Sequence, residues 1–96
     1  MIDYILSKNY NTEKLTLYIK DNYVNILITC NNHLIFQNKF KFSTKEDLLF
    51  YSLFCIQEMN LSPEKIDTEI YGNISKSEFQ ILYEYIRNIK YGNKLK

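Results

Sequence analysis

Ninety-six residues suffice for one domain, near the lower size at which a chain buries its own core. An apolar share of 46%, with nine Tyr and six Phe, supplies that core, and no apolar run approaches the roughly 18 residues a membrane helix needs. Twelve basic against eleven acidic residues leave a formal charge of +1, which argues against nucleic acid or any other electrostatically recruited partner.

Residues Met1 to Lys8 read as a short N-terminal helix with Ile2, Ile5 and Leu6 on one side; Asp3 and the lack of a continuous apolar stretch do not fit a signal peptide. From Lys14 the period becomes two. Leu15, Leu17 and Ile19 alternate with Thr16 and Tyr18 in a first, half-buried strand. Lys20-Asp21-Asn22 turns the chain into a second strand, Tyr23 to Thr29, with Val24, Ile26 and Ile28 on one face. Asn31-Asn32 suits a tight hairpin because Asn tolerates positive φ. The third strand, His33 to Phe42, places Leu34, Phe36, Phe40 and Phe42 on one face and Ile35, Gln37, Lys39 and Lys41 on the other.

Ser43 and Glu46 have capping-box spacing, as do Thr44 and Asp47 less ideally, and the helix they open runs to about Met59. Leu49, Leu53 and Ile56 form its expected buried stripe, with Phe50 and Phe54 beside it and Asn60 as the stop. Ser62-Pro63-Glu64 is a turn with Pro at a position where its missing N–H costs nothing. Ile66 to Tyr71 is a fourth strand. Ser75 and Glu78 form a second capping box for a helix carrying Phe79, Leu82, Tyr83, Ile86 and Ile89, with Tyr91-Gly92 as its C-cap.

The order is βββαβα, an α+β arrangement containing one α/β crossover. A right-handed crossover sets the fourth strand parallel to a strand of the meander, and sheet order 3-2-1-4 buries the first strand centrally, as its almost uncharged sequence supports. The pattern resembles the ribonuclease H-like core. Such cores add a fifth strand, which is expected to be missing here, because the chain stops at Asn93-Lys94-Leu95-Lys96.

A more specific resemblance rests on Asn38 and Phe40 before the first long helix, Asp47, Tyr51 and Phe54 within it, and Leu61 and Pro63 after it. Gly72 and Tyr85-Ile86-Arg87 complete the pattern. Together these resemble a bacterial family of domain-of-unknown-function proteins, known mainly from the Bacteroidetes. Full-length members are similar to the actin, sugar-kinase and heat-shock ATPase superfamily. The resemblance spans nearly the whole chain and corresponds to the C-terminal half of a member. It implies that residues 1–96 are one half-domain, a fragment of such a protein.

In active members of that superfamily the first hairpin reads Asp-x-Gly-Gly-Gly-Thr, so that backbone N–H groups approach the phosphates and the acid helps hold magnesium. The aligned stretch here runs from Tyr18 to Tyr23 and contains no glycine; Tyr18 stands in the acid's place and Tyr23 in the threonine's. A second signature, a strand ending in Gly-Gly against adenosine, survives as Gly72-Asn73. The resemblance therefore leaves Asp21, Asn22, Gly72 and Asn73 as vestigial cofactor positions. Turn chemistry explains each of them without a ligand.

Nuclease chemistry needs carboxylates on the first strand, and Lys14 to Lys20 has none; Glu58 and Glu69 read as solvated charges. Cys30, Cys55 and His33 are too few for a metal site, and the cysteines read as small buried hydrophobes in a reducing cytoplasm. The expectation is a non-catalytic structural or protein-interaction module with no cofactor, metal, nucleic acid or membrane. Its partner would be a protein, or a second copy paired through the unfinished 66–71 edge strand. Two other readings stay open. One is half of an ATP-binding enzyme whose site lies mainly in a missing N-terminal half; the other is a nucleic-acid-binding ribonuclease H-like domain.

Overall fold

The computed structural model describes residues 13–92. Strands β1 (Glu13–Lys20), β2 (Tyr23–Cys30) and β3 (His33–Lys41) form an antiparallel meander. Helix α1 (Lys45–Glu58), strand β4 (Asp67–Gly72), helix α2 (Lys76–Tyr85) and strand β5 (Ile89–Tyr91) follow, and the sheet order is β3-β2-β1-β4-β5. The helix expected over Met1 to Lys8 lies outside the described residues.

Turn residues set the meander. Asp21 takes φ 57° between β1 and β2, and Asn31 and Asn32 take φ 53° and 68° between β2 and β3, conformations that short Asn and Asp side chains tolerate. The strands then stay in phase. Leu15, Leu17 and Ile19 of β1 are set against Ile28, Ile26 and Val24 of β2, and Leu15 and Leu17 against Thr68 and Ile70 of β4. All eight are buried on one face, together with Leu48, Cys55 and Ile56 of α1 and Leu82 and Ile86 at α2. Each fully buried aliphatic side chain contributes about 1.5–3 kcal/mol.

Several expectations are corrected. A register irregularity between Ile28 and Thr29 sets Leu34 opposite Thr29, so Leu34 leaves the face of Phe36 and Phe40 and is 56% exposed. Thr44, not Ser43, caps α1. Its hydroxyl accepts from Asp47 N at 3.1 Å, while Asp47 Oδ2 accepts from Ser43 N at 3.3 Å. The face α1 buries is Leu48, Ser52, Cys55 and Ile56; Leu49 and Leu53 are only half-buried. Between Leu48 and Ile56 the helix is apolar at nearly every position, so periodicity could not choose its inner side.

A further correction is the fifth strand, which is present. The Ser75–Glu78 capping box opens α2 as expected, with Ser75 Oγ accepting from Glu78 N and Glu78 Oε1 accepting from Ser75 N. The helix stops at Tyr85, however, and Ile89–Tyr91 pairs in parallel with β4. Ile86 and Ile89 both reach the core, one as the helix cap and the other from the strand. The 66–71 segment is therefore an inner strand, and the partner pairing that assumed its free edge loses its premise. Gly92 is no helix cap either. Its N–H donates to Ile70 O at 2.7 Å, and a Cβ there would collide with the Tyr71 ring.

Leu48 is fully buried and Phe50 is 62% exposed, so the two positions fix which way α1 faces. Denaturant melts should show Leu48→Ala losing about 2–5 kcal/mol, and Phe50→Ala staying within about 0.5 kcal/mol of wild type.

Candidate functional site

The turn between β1 and β2 and the end of β4 meet at one end of the sheet. Gly72 sits opposite Ile19 in the parallel register, and Asn73 N donates to Ile19 O at 3.0 Å. Asp21, Asn22, Gly72 and Asn73 are thus brought to the same end. Gly72 takes φ 96°, and a Cβ on it would collide with the carbonyl oxygen of Ile19. The close approach of β1 to β4 is what requires this glycine, with no ligand needed to explain it.

Beside the turn a shallow depression of about 390 Å³ is lined by Tyr18, Lys20, Asp21, Tyr23, Asn25 and Lys39. It opens on the sheet face opposite the helices. The Tyr18 ring stacks on Tyr71, centroids 4.9 Å apart and planes 19° apart, and the Lys39 ammonium lies 4.9 Å from the Tyr23 ring centre. Aromatic side chains therefore flank this turn on the open face of the sheet.

The carboxylates are tied elsewhere. Glu69 accepts from the Tyr71 hydroxyl at 2.7 Å and pairs with Lys14 at 3.0 Å and Lys90 at 4.0 Å. The Tyr71 hydrogen bond, with help from the two lysines, holds its carboxyl below the ordinary value of 4.5, while partial burial opposes the shift. In return the Glu69 hydrogen bond raises the Tyr71 phenol above 10.0. Cys55 is fully buried in the core, and burial, then Glu58, pushes its thiol up to about 11. At neutral pH it is a protonated apolar filler, not a nucleophile. Cys30 is partly exposed at the end of β2, and both cysteines are free. His33 and Glu58 are exposed, and among the described residues no three His, Cys, Asp or Glu converge. No helix among those residues is long and apolar enough to cross a membrane.

A family model described as Protein of unknown function (DUF3822) matches residues 1–89. No curated protein matches the chain. Among solved structures, a Bacteroides thetaiotaomicron protein described as having an actin-like ATPase fold and unknown function aligns with a TM-score of 0.74 at 20% identity. The alignment covers 82% of this chain and 32% of that one, so the chain spans about a third of its neighbour's length. At that identity the likeness establishes the fold, an actin-like ATPase fold.

Two outcomes follow. Gly72→Ala forces a side chain into a left-handed conformation against Ile19, and should destabilise by at least about 1–3 kcal/mol in urea melts. For Glu69 the folded carboxyl lies below its unfolded value, so its contribution is complete above about pH 4.5 and is lost as pH falls through the folded value. Melts repeated on acidification from pH 4.5 should show wild-type stability falling, and Glu69→Gln should remove that component.

Proposed function

The chain belongs to the DUF3822 family of proteins of unknown function, and we propose that it serves as a non-catalytic structural or protein-interaction module, a pseudoenzyme on an actin-like fold. One observation carries this reading. The outer side of α1 presents an aromatic ridge, Phe50 62% and Phe54 43% exposed with rings 6.2 Å apart. Tyr51 stands edge-on to Phe50 at 5.6 Å and stacks on Phe40 of the edge strand β3 at 4.4 Å. Large aromatic side chains on a rigid element are what protein interfaces use as anchors, because they bury much area at little cost in side-chain entropy. An exposed contiguous apolar patch is otherwise a solubility liability. Two free cysteines support a reducing compartment, the cytoplasm. The organism of the structural neighbour supports a source in the Bacteroidetes.

A second reading keeps the chain as half of a larger nucleotide-binding enzyme. The convergence of Asp21, Asn22, Gly72 and Asn73 at one end of the sheet favours it, as does the neighbour's described fold. Against it stand Tyr18 and Tyr23 at the turn, and a Gly72 that the sheet itself requires.

Calorimetry separates the two. Titration with Mg-ATP to millimolar concentration should give no saturable heat, and a micromolar dissociation constant would overturn the module reading. Light scattering over a concentration series addresses the ridge. Wild-type mass should rise above 11.6 kDa with concentration, and the double variant Phe50→Ser, Phe54→Ser should remain at the monomer mass.

A further inference from the structure

The sheet has two faces, and only one is covered among the described residues. The helix-bearing face holds the core, whereas the opposite face carries side chains from all five strands. Strand register arranges that face in rows. One row runs Lys39, Asn25, Tyr18, Tyr71, from β3 through β2 and β1 to β4. The row nearer the turn runs Lys41, Tyr23, Lys20. Toward the other end Glu69 pairs with Lys14 and Lys90, and Asp67, opposite Lys14 in the register, adds a second carboxylate. Among the described residues no ion pair forms at Lys20, Lys39 or Lys41. The charge of this face is therefore polarised: Lys20 and Lys39 line the 390 Å³ depression with one carboxylate, Asp21, and Lys41 lies opposite Tyr23 in the strand register.

We propose that this face binds single-stranded nucleic acid, with Tyr18 and Tyr23 as stacking platforms and Lys20, Lys39 and Lys41 as phosphate contacts. Tyr18 is 47% exposed and Tyr23 42%, so each ring offers area to a base. Stacking tolerates any base because every base has a π-face, and lysines track the backbone charge. Tyr18 is held by the Tyr71 stack, and Tyr71 by its hydrogen bond to Glu69 and its contact with Gly92, so one platform is pre-organised. The Lys39 ammonium lies over one face of the Tyr23 ring, 4.9 Å from its centre, which leaves the other face to a base and holds a cation where the stacked nucleotide brings its phosphate. Asn25 and Gln37, already joined by a 2.9 Å hydrogen bond, lie on the same face and offer amide groups to base edges. From β3 to β4 the face spans about 14 Å, three strand spacings, a width on which sheet-based RNA readers seat two or three bases. Duplex is disfavoured, since paired bases do not expose their faces. An acidic peptide would satisfy the lysines but leave the rings without partners. This surface lies across the sheet from the α1 ridge, so either can fail without the other.

Fluorescence anisotropy of the full chain with labelled oligothymidylate and oligouridylate 12-mers tests the proposal, circular dichroism confirming the fold of every variant. Saturable binding is expected, with a slope of log K against log salt of about −2, the value for three phosphate contacts on a single strand. Tyr18→Ala or Tyr23→Ala should weaken binding roughly five- to hundredfold, and Tyr18→Phe should retain it. The pair Lys20→Gln, Lys39→Gln should reduce the slope by about 1.4. Absence of saturable binding overturns the proposal. So does competition by heparin or oligoglutamate as strong as that by oligonucleotide, or indifference to both tyrosine truncations, since either outcome marks a surface that reads charge alone.

Discussion

The structure depends on β1. It pairs antiparallel with β2 along its whole length and parallel with β4 over Lys14 to Ile19, so both of its edges are satisfied within the sheet. Leu15, Leu17 and Ile19 are buried to 2% exposure or less, and the helices pack over that side. A one-residue slip of β1 would turn these three into solvent and bring Lys14, Thr16 and Tyr18 into the core. The hairpin turn at Asp21 and the backbone contact of Asn73 with Ile19 lock the register from either side. In a domain of this size, with a net stability of only about 5–15 kcal/mol, a strand serving two partners cannot shift without unfolding the rest.

That constraint accounts for Gly72, Gly92 and the turn at Asp21. Gly72 looks like the remnant of an adenosine contact when read as a motif. In the sheet it lies opposite Ile19, where any side chain would strike the partner carbonyl. Gly92 is similarly explained by the Tyr71 ring. Both glycines serve the closure of β1, β4 and β5 onto one another. The turn at Asp21 needs only a residue that tolerates positive φ, and Asp supplies that while its neighbours Tyr18 and Tyr23 fill the adjoining surface.

Strands β1 to β3 are legible because their period is two and their turns carry Asn or Asp; β4 beside β1 follows from the right-handed crossover together with the almost uncharged sequence of β1. What escaped sequence reasoning escaped for identifiable reasons. Leu82, Ile86 and Ile89 keep helical spacing, although the last of them belongs to a strand of three residues, too short to show alternation. The only other signal was topological, since the resemblance called for a fifth strand. α1 carries apolar residues around most of its circumference, so its buried side is decided by Thr44 as cap and by the sheet it meets, not by its own pattern. Leu34 changed faces through a register irregularity that leaves no mark on composition. Of the candidate site, the loss of glycines at the first turn was visible at once. The aromatic stack and the Glu69 ion cluster required knowing that β4 lies beside β1.

The open face shows why a whole-chain charge is a poor guide to surface chemistry. A total of +1 averages over surfaces that never meet. Period-two alternation sends Lys39 and Lys41 of β3 to the same side, and hairpin pairing sets them beside Tyr23 and Asn25 of β2, with Lys20 next along the row. These lysines are up to 21 positions apart in the chain, so no window along the sequence contains them as a cluster. Carboxylates that balance them in the count, such as Glu46 and Glu78, sit at the starts of α1 and α2, where helix dipoles favour negative charge. Capping thus draws acidic residues toward the helical layer while strand alternation gathers lysines on the opposite side. The field that a ligand meets on the sheet is set by the nearby charges, because screening confines their reach to about 8–10 Å in physiological salt.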